Sequence, residues 1–371
     1  MKNFFIFLSS IIISLFLCEA LLRYVIPNDQ LRLRVEANKK QFKDFQKLTW
    51  NPKTNSFIPL STGLVNHPEY NYKIKHDEFG FRNPCNLNIK KKIKNIIIGD
   101  SFVYGVGVKD GNTLNCQINI NNFTMGVPNS SHNCYYNLLK EHYSSLEKYN
   151  SQKNFNVHIL FYFGNDFESL VNSSGGCPMT SINEVNYKPK KIFNKVNYII
   201  TKGYLSEFYL PQIPKLLYKS YLNKKFYKNI NLSNRKYFLD NGNDTFYTHV
   251  NHINQKKLTD SVEIFYNKLK KLDEENLKFY FYIIPSGSDI SADRLRRKSK
   301  ISGFDYKLID TNLKYTAMLR SCDELDIICY DLRKIFSDKS YYTHDTHLNA
   351  DGVKTLAKFI EKKINQNGTS F

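Results

Sequence analysis

Unbroken apolar runs and helical stripes alternate along this chain of 371 residues. In residues 94–99, Ile96, Ile97 and Ile98 stand in a row and enter a glycine turn. A strand with one wet face would alternate apolar and polar positions. A continuous run marks a strand buried on both faces, as in a parallel sheet. Residues 123–127, 157–163, 277–285 and 325–332 read the same way. Between them, residues 135–149 and 259–272 carry helical spacing, with Val262, Phe265, Leu269 and Leu272 on one face. The final helix is the best defined: Asn349 caps it, Asp351 suits its first turn, and Val353, Leu356, Ala357, Ile360 and Ile364 form its apolar stripe. Strands alternating with helices predict an α/β fold, a three-layer α/β/α sandwich around a central parallel sheet.

Three regions depart from this rhythm. Residues 1–26 are apolar from Phe4 to Cys18 with only Ser9 and Ser10 between, and continue less cleanly to Ile26. About 20 such residues cross a bilayer. No small-x-small cleavage site follows, so an uncleaved anchor is expected, with a cleaved signal peptide and secretion as the alternative. Residues 27–90 read as a stem becoming a cover, and the stretch Asp77-Glu78-Phe79-Gly80-Phe81-Arg82 is placed to pack back on the body. The main domain spans 91–371. Within it, residues 168–255 are rich in Tyr, Lys and Asn and form an insertion, read either as a lid or acceptor element or as a peripheral pack.

Composition narrows the setting. Hydrophobic residues at 42% exclude wholesale disorder. Lys and Arg number 53 against 34 Asp and Glu, a net charge of +19. That balance favours anionic partners, but no zinc-finger spacing or RNA-binding aromatic signature is present, so nucleic acid is not expected. Arg23, Arg32, Arg34, Lys39 and Lys40 outweigh Lys2 and argue for a body kept inside. Apart from Cys18, six cysteines (Cys85, Cys116, Cys134, Cys177, Cys322, Cys329) form no Cys-x-x-Cys pair and argue for up to three disulfides in an oxidising space. The cysteines decide the expectation: a catalytic domain outside the cytoplasm.

Candidate chemistry sits at the ends of the strands. Ser101 follows the run 94–99 by two residues, where strand ends line a ligand crevice and backbone N–H groups converge. A hydroxyl there is a nucleophile if a base takes its proton, or a simple helix cap. Asn165, in Phe163-Gly164-Asn165-Asp166, offers an amide to a developing oxyanion, and Gly126 offers a close backbone N–H. His347 is a general base with Asp345 beside it. His344 competes for that role, and His344-Asp345-His347 as metal ligands lacks a fourth ligand. Taken singly, each has an ordinary turn reading.

Taken in order, these blocks resemble those of the SGNH/GDSL hydrolase superfamily, especially its membrane-anchored or secreted bacterial members. The stretch Gly99-Asp100-Ser101-Phe102-Val103-Tyr104-Gly105 is similar to the nucleophile block, with Phe102 where many members have Leu. The ending His347-Leu348-Asn349-Ala350-Asp351-Gly352 is similar to the last block. The motifs span about 95 to 360. Two departures stand out: Phe163 occupies the usual glycine position of the third block, and the last block is Asp-x-His, not Asp-x-x-His. The resemblance implies a flavodoxin-like SGNH fold and Ser101, Asp345 and His347 as the triad. It implies an oxyanion hole from Ser101, Gly126 and Asn165, with Asp100 structural. It implies acyl-ester hydrolysis through an acyl-enzyme, with no metal or organic cofactor. The expected substrate is an acyl ester, carbohydrate- or lipid-linked. An O-acyltransferase of exported polysaccharide and a silent carbohydrate-binding protein are the alternatives.

Overall fold

The computed structural model describes residues 2–25, 50–51, 55–67, 69–85, 93–147, 154–171, 176–177, 221, 238–240, 248–250, 253–273, 276–302, 305–343 and 345–368. Most of the 168–255 insertion and the stem from 26 to 49 lie outside them, so the roles expected for those segments do too.

Helix α1 spans Lys2–Val25. Short antiparallel pairs follow: β1 (Trp50–Asn51) with β2 (Ser56–Phe57), and the hairpin β3 (Thr62–His67) with β4 (Tyr70–Lys75). The central sheet contains β5 (Asn95–Gly99), β6 (Asn122–Gly126), β7 (Phe155–Tyr162), β10 (Leu277–Ile284) and β11 (Cys329–Asp331). Its order is β11-β10-β7-β5-β6 and every pairing is parallel. The pair β8 (Phe238–Asp240) and β9 (Thr248–Val250) lies in the insertion. The larger helices are α3 (His132–Glu147), α5 (Gln255–Lys270), α6 (Ala292–Ser302), α7 (Leu313–Glu324) and α8 (Ala350–Gly368); among the short ones, α2 (Ser101–Tyr104) and α4 (Asp166–Val171) flank the site, and single helical turns lie at Leu114–Gln117 and Gly287–Ile290.

The unbroken apolar runs have the expected cause: both faces of the sheet are covered. Ile96, Ile98, Val157, Ile159, Phe281 and Ile283 pack with Leu138, Val262, Phe265 and Met318 from α3, α5 and α7. The intervening Ile97, Leu160, Tyr282 and Ile284 pack on the other face with Val353, Leu356, Ala357 and Ile360 of α8. Period-two alternation therefore divides the strand between two cores, not between core and water. The α/β expectation with a central parallel sheet flanked by helices holds. Asn349 caps α8 as expected, its Oδ1 accepting from Gly352 N at 3.0 Å. The last strand is shorter than its apolar run: residues 325–327 are a helix end and turn, with Asp326 at φ 52°.

Six cysteines form three disulfides, Cys85–Cys116, Cys134–Cys177 and Cys322–Cys329, and Cys18 is free. The second ties the start of the insertion to α3. Helix α1 exposes Ile6, Phe7, Ile13, Phe16, Leu17 and Leu21. Its described side chains run only from residue 6 to 22, and among the described residues no helix is long and apolar enough to cross a membrane.

Candidate active site

The loops at the C-terminal ends of β5 and β7 meet the loop that precedes α8. Ser101 opens α2 directly after β5. Asp100 is the N-cap and accepts from Phe102 N at 3.0 Å, which supports its expected structural role. Gly126, at the end of the neighbouring strand, is glycine for a visible reason: a Cβ there would lie 2.1 Å from Tyr104 N and 2.5 Å from Val103 C. Any other residue would push the Ser101 helix off the sheet.

Asp345 and His347 lie in a loop closed by a bridge between Tyr341 and Leu348. The Asp345 carboxylate accepts from His347 N at 2.8 Å and from His347 Nδ1 at 2.5 Å. An Asp that bonds the N–H two residues on is a common turn device. Here it swings the carboxylate under the ring, which is why Asp-x-His spacing suffices. The other ring nitrogen, Nε2, is 2.9 Å from Ser101 Oγ. Hydroxyl, imidazole and carboxylate are thus joined in series. Burial alone would raise the Asp345 carboxyl, but the His347 charge, the two His347 hydrogen bonds and one from Tyr70 more than offset it and hold it below the usual carboxylate range. His344 lies outside the described residues. Among the described residues no group of His, Cys, Asp and Glu could hold a metal ion.

The Asn165 amide donates to Asp100 Oδ2 at 3.4 Å, beside the serine, and its Oδ1 is buried with no hydrogen-bond partner. Its turn is fixed from below: the buried Lys314 donates to Phe163 O at 2.7 Å and pairs with Asp289 at 2.8 Å. All five expected site residues therefore fall at one edge of the sheet. For Gly126 the structure gives a packing role; an oxyanion N–H from it belongs to the proposal below.

The cover segment supplies what sequence reasoning missed. Tyr70 donates to Asp345 Oδ2 at 2.7 Å. Glu69 accepts from Thr343 N at 3.0 Å and Asp345 N at 2.9 Å, clamping the His347 loop. Arg82, 1% exposed, donates to Gly105 O at 2.6 Å and Val108 O at 2.7 Å, and pairs with Asp110 at 2.8 Å. Asn83 brackets Thr124 of the edge strand β6, accepting from its N–H at 2.9 Å and donating to its carbonyl at 3.0 Å. The pattern at 77–82 marks a turn packed on the body; the partners of Tyr70 and Glu69, 275 and 276 residues away at Asp345, leave no local signal.

No family model, curated protein or solved structure matches the chain. The reading of function rests on the site itself.

The pair Asp100 and Asp166 adds a pH signature. Burial pushes the Asp100 carboxyl up from 3.8 to about 6, against hydrogen bonds from Phe102 N–H, Asn165 and Ser101 and the His347 charge. Asp166, fully buried and facing Asp100, is raised as well. Just above the ordinary carboxylate range the folded chain therefore holds a proton on the Asp100–Asp166 pair that the unfolded chain has released. The pair's contribution to stability falls as pH rises through that window. Asp100→Asn keeps the helix cap but cannot ionise. Its unfolding free energy relative to wild type is expected to climb between pH 4 and 7 in urea titrations; a flat difference would mean that the pair titrates as in the unfolded chain.

Proposed function

We propose that this protein is a serine-dependent acyl-ester hydrolase of the SGNH/GDSL type, working through a covalent acyl-enzyme on O-acetyl or other acyl esters of carbohydrate or lipid. The observation that carries the reading is the hydrogen-bonded series Ser101 Oγ, His347 and Asp345, with 2.9 Å and 2.5 Å between successive partners. The parallel sheet with helices on both faces, and the position of Ser101 straight after its strand, support the flavodoxin-like SGNH arrangement.

In the mechanism, His347 Nε2 takes the Ser101 proton as Oγ attacks the ester carbonyl. Asp345 holds Nδ1–H and favours the imidazolium that forms. The N–H groups of Ser101 and Gly126 and the Asn165 amide stabilise the oxyanion; one Asn165 hydrogen serves Asp100 and the second is left for the substrate. His347 then returns its proton to the leaving alcohol. Water, activated by the same imidazole, attacks the acyl group and restores Ser101. No step calls on a metal or an organic cofactor.

The exposed apolar surface of α1 supports a membrane anchor, and three disulfides support a catalytic domain in an oxidising space outside the cytoplasm.

A fluorophosphonate probe is expected to label the full chain in detergent, and Ser101→Ala to abolish the labelling. No labelling of wild type, under conditions that label a known serine esterase, overturns the proposal. With p-nitrophenyl acetate as donor, an oligosaccharide acceptor that emerges acetylated identifies a transferase, and free acetate alone a hydrolase.

A further inference from the structure

We propose that Tyr70 is a positioning residue of this site: its hydroxyl fixes the Asp345 carboxylate in the rotation that aims His347 at Ser101, so that the catalytic unit includes the N-terminal hairpin. The proposal rests on the esterase reading of Ser101, His347 and Asp345, and it adds a residue that acts through Asp345.

The alternation of β4 puts Tyr70, Tyr72 and Ile74 on one buried face and leaves Asn71, Lys73 and Lys75 outside. That buried face grips both halves of the triad. Tyr70 donates to Asp345 Oδ2 at 2.7 Å, in the loop of the base. Tyr72, two residues on, accepts from Gly107 N at 2.9 Å, in the loop that leaves the nucleophile helix. Tyr342 closes the span, donating to Gly107 O at 2.6 Å with its ring centre 5.0 Å from that of Tyr70. To cover the core the Tyr70 and Tyr72 rings alone would do. Both hydroxyls are instead spent on the two loops of the site.

A carboxylate turns about a single bond, and the ring bonded to it turns with it. Asp345 Oδ1 takes both His347 N–H groups. The bond from Tyr70 to the other oxygen sets the plane of the carboxylate, and it is of the stronger, charge-assisted kind. Tyr70 is itself held. Its ring stacks on His67, with centres 4.2 Å apart and planes 18° apart, and His67 Nδ1 accepts from Glu69 N at 3.3 Å. The hydroxyl is therefore aimed in advance, and little further side-chain freedom is lost in making the bond. Glu69 fixes the backbone of the same loop by accepting from Thr343 N and Asp345 N.

The arrangement has a chemical consequence with a sign. A hydroxyl that donates to a carboxylate disperses its charge. Without it Asp345 accepts more strongly from His347 Nδ1–H, and the imidazolium keeps its proton to higher pH. Removing the Glu69 charge acts the other way, because an anion close to the imidazolium is lost. His67 Nε2 lies 3.9 Å from Asp345 Oδ2. The other ionisable groups around the pair are Asp100 beside Ser101, Tyr72 and Tyr342 on the hairpin side, and Arg294, Arg297 and Lys298 across a narrow cleft. Substitutions at 69 and 70 leave all of these in the chain.

The test uses the full chain in detergent with p-nitrophenyl acetate, comparing wild type with Tyr70→Phe and Glu69→Gln from about pH 5 to 8. Tyr70→Phe keeps the ring on His67 and removes one oxygen. Its kcat is expected to fall about tenfold, the scale of one charge-assisted hydrogen bond, with KM unchanged. The acidic limb of its kcat/KM profile should move up by about half a pH unit. In Glu69→Gln kcat should also fall, but the limb should move down. Opposed shifts are what a general loosening of the loop does not produce. A kcat for Tyr70→Phe within about twofold of wild type, a limb that stays in place, or limbs that move the same way in both variants overturns the positioning role and leaves the esterase reading intact. If wild type turns over no ester, the esterase reading falls and titration of the His347 ring by NMR decides the coupling alone. A higher titration point in Tyr70→Phe than in wild type retains the link from Tyr70 through Asp345 to His347; an equal or lower one discards it.

Discussion

Ser101→Ala and His347→Ala are each expected to lower kcat about 10⁴–10⁶-fold, and the double variant no further than either alone. The nucleophile and the base act as one unit across the 2.9 Å contact, so losing either leaves only binding and oxyanion stabilisation. His344→Ala should retain most activity, because the ring that reaches Ser101 is that of His347. Steady-state kinetics on an activated acetate ester, with an active-site titration to count competent sites, gives the answer. Losses that multiply in the double variant would mean that the two residues serve separate steps. A larger loss for His344 than for His347 would move the base to the other ring.

Arg82→Met is expected to destabilise the fold by about 3–5 kcal/mol. Its guanidinium lies among the backbone carbonyls of Gly105 and Val108 and the Asp110 carboxylate, packed 4.7 Å from the Tyr72 ring centre. Methionine fills similar volume but donates nothing, so buried acceptors and a carboxylate lose their partner at once. Those carbonyls belong to the loop that leaves the nucleophile helix, where Gly105 and Gly107 have φ of 79° and 96°. Activity should therefore fall together with stability. Urea unfolding measures the effect. A loss below about 1 kcal/mol would mean that Arg82 lies in water and that the cover is not anchored through it.

The two outcomes concern segments of unequal legibility. The nucleophile block could be read because strand, glycine and serine are adjacent in the chain. The Asp345–His347 pair could be read because a carboxylate two residues from a ring reaches it through a single turn. The anchoring of the cover could be read only in outline. The sequence places an aromatic turn at 77–82, but a buried arginine looks like a surface arginine until the carbonyls around it are assembled. Glu69 and Tyr70 look like ordinary hairpin-turn residues, and their partners at 343–345 come from the far end of the chain. Of the three disulfides, the closest cysteine pair in sequence is joined, Cys322 with Cys329; the other two bridge 31 and 43 residues, and spacing alone did not select them.

The chain's own pattern determined the strands, the helices between them, the double burial of the sheet and the short list of chemically competent side chains. These depend on near neighbours, through periodicity, caps and turns. Tertiary structure alone decided that Ser101 and His347, 246 residues apart, share a hydrogen bond and that the N-terminal hairpin braces Asp345. Such contacts arise where a parallel sheet gathers its strand ends at one edge, and the order in which strands assemble there is set by long-range packing that no local stretch of residues encodes.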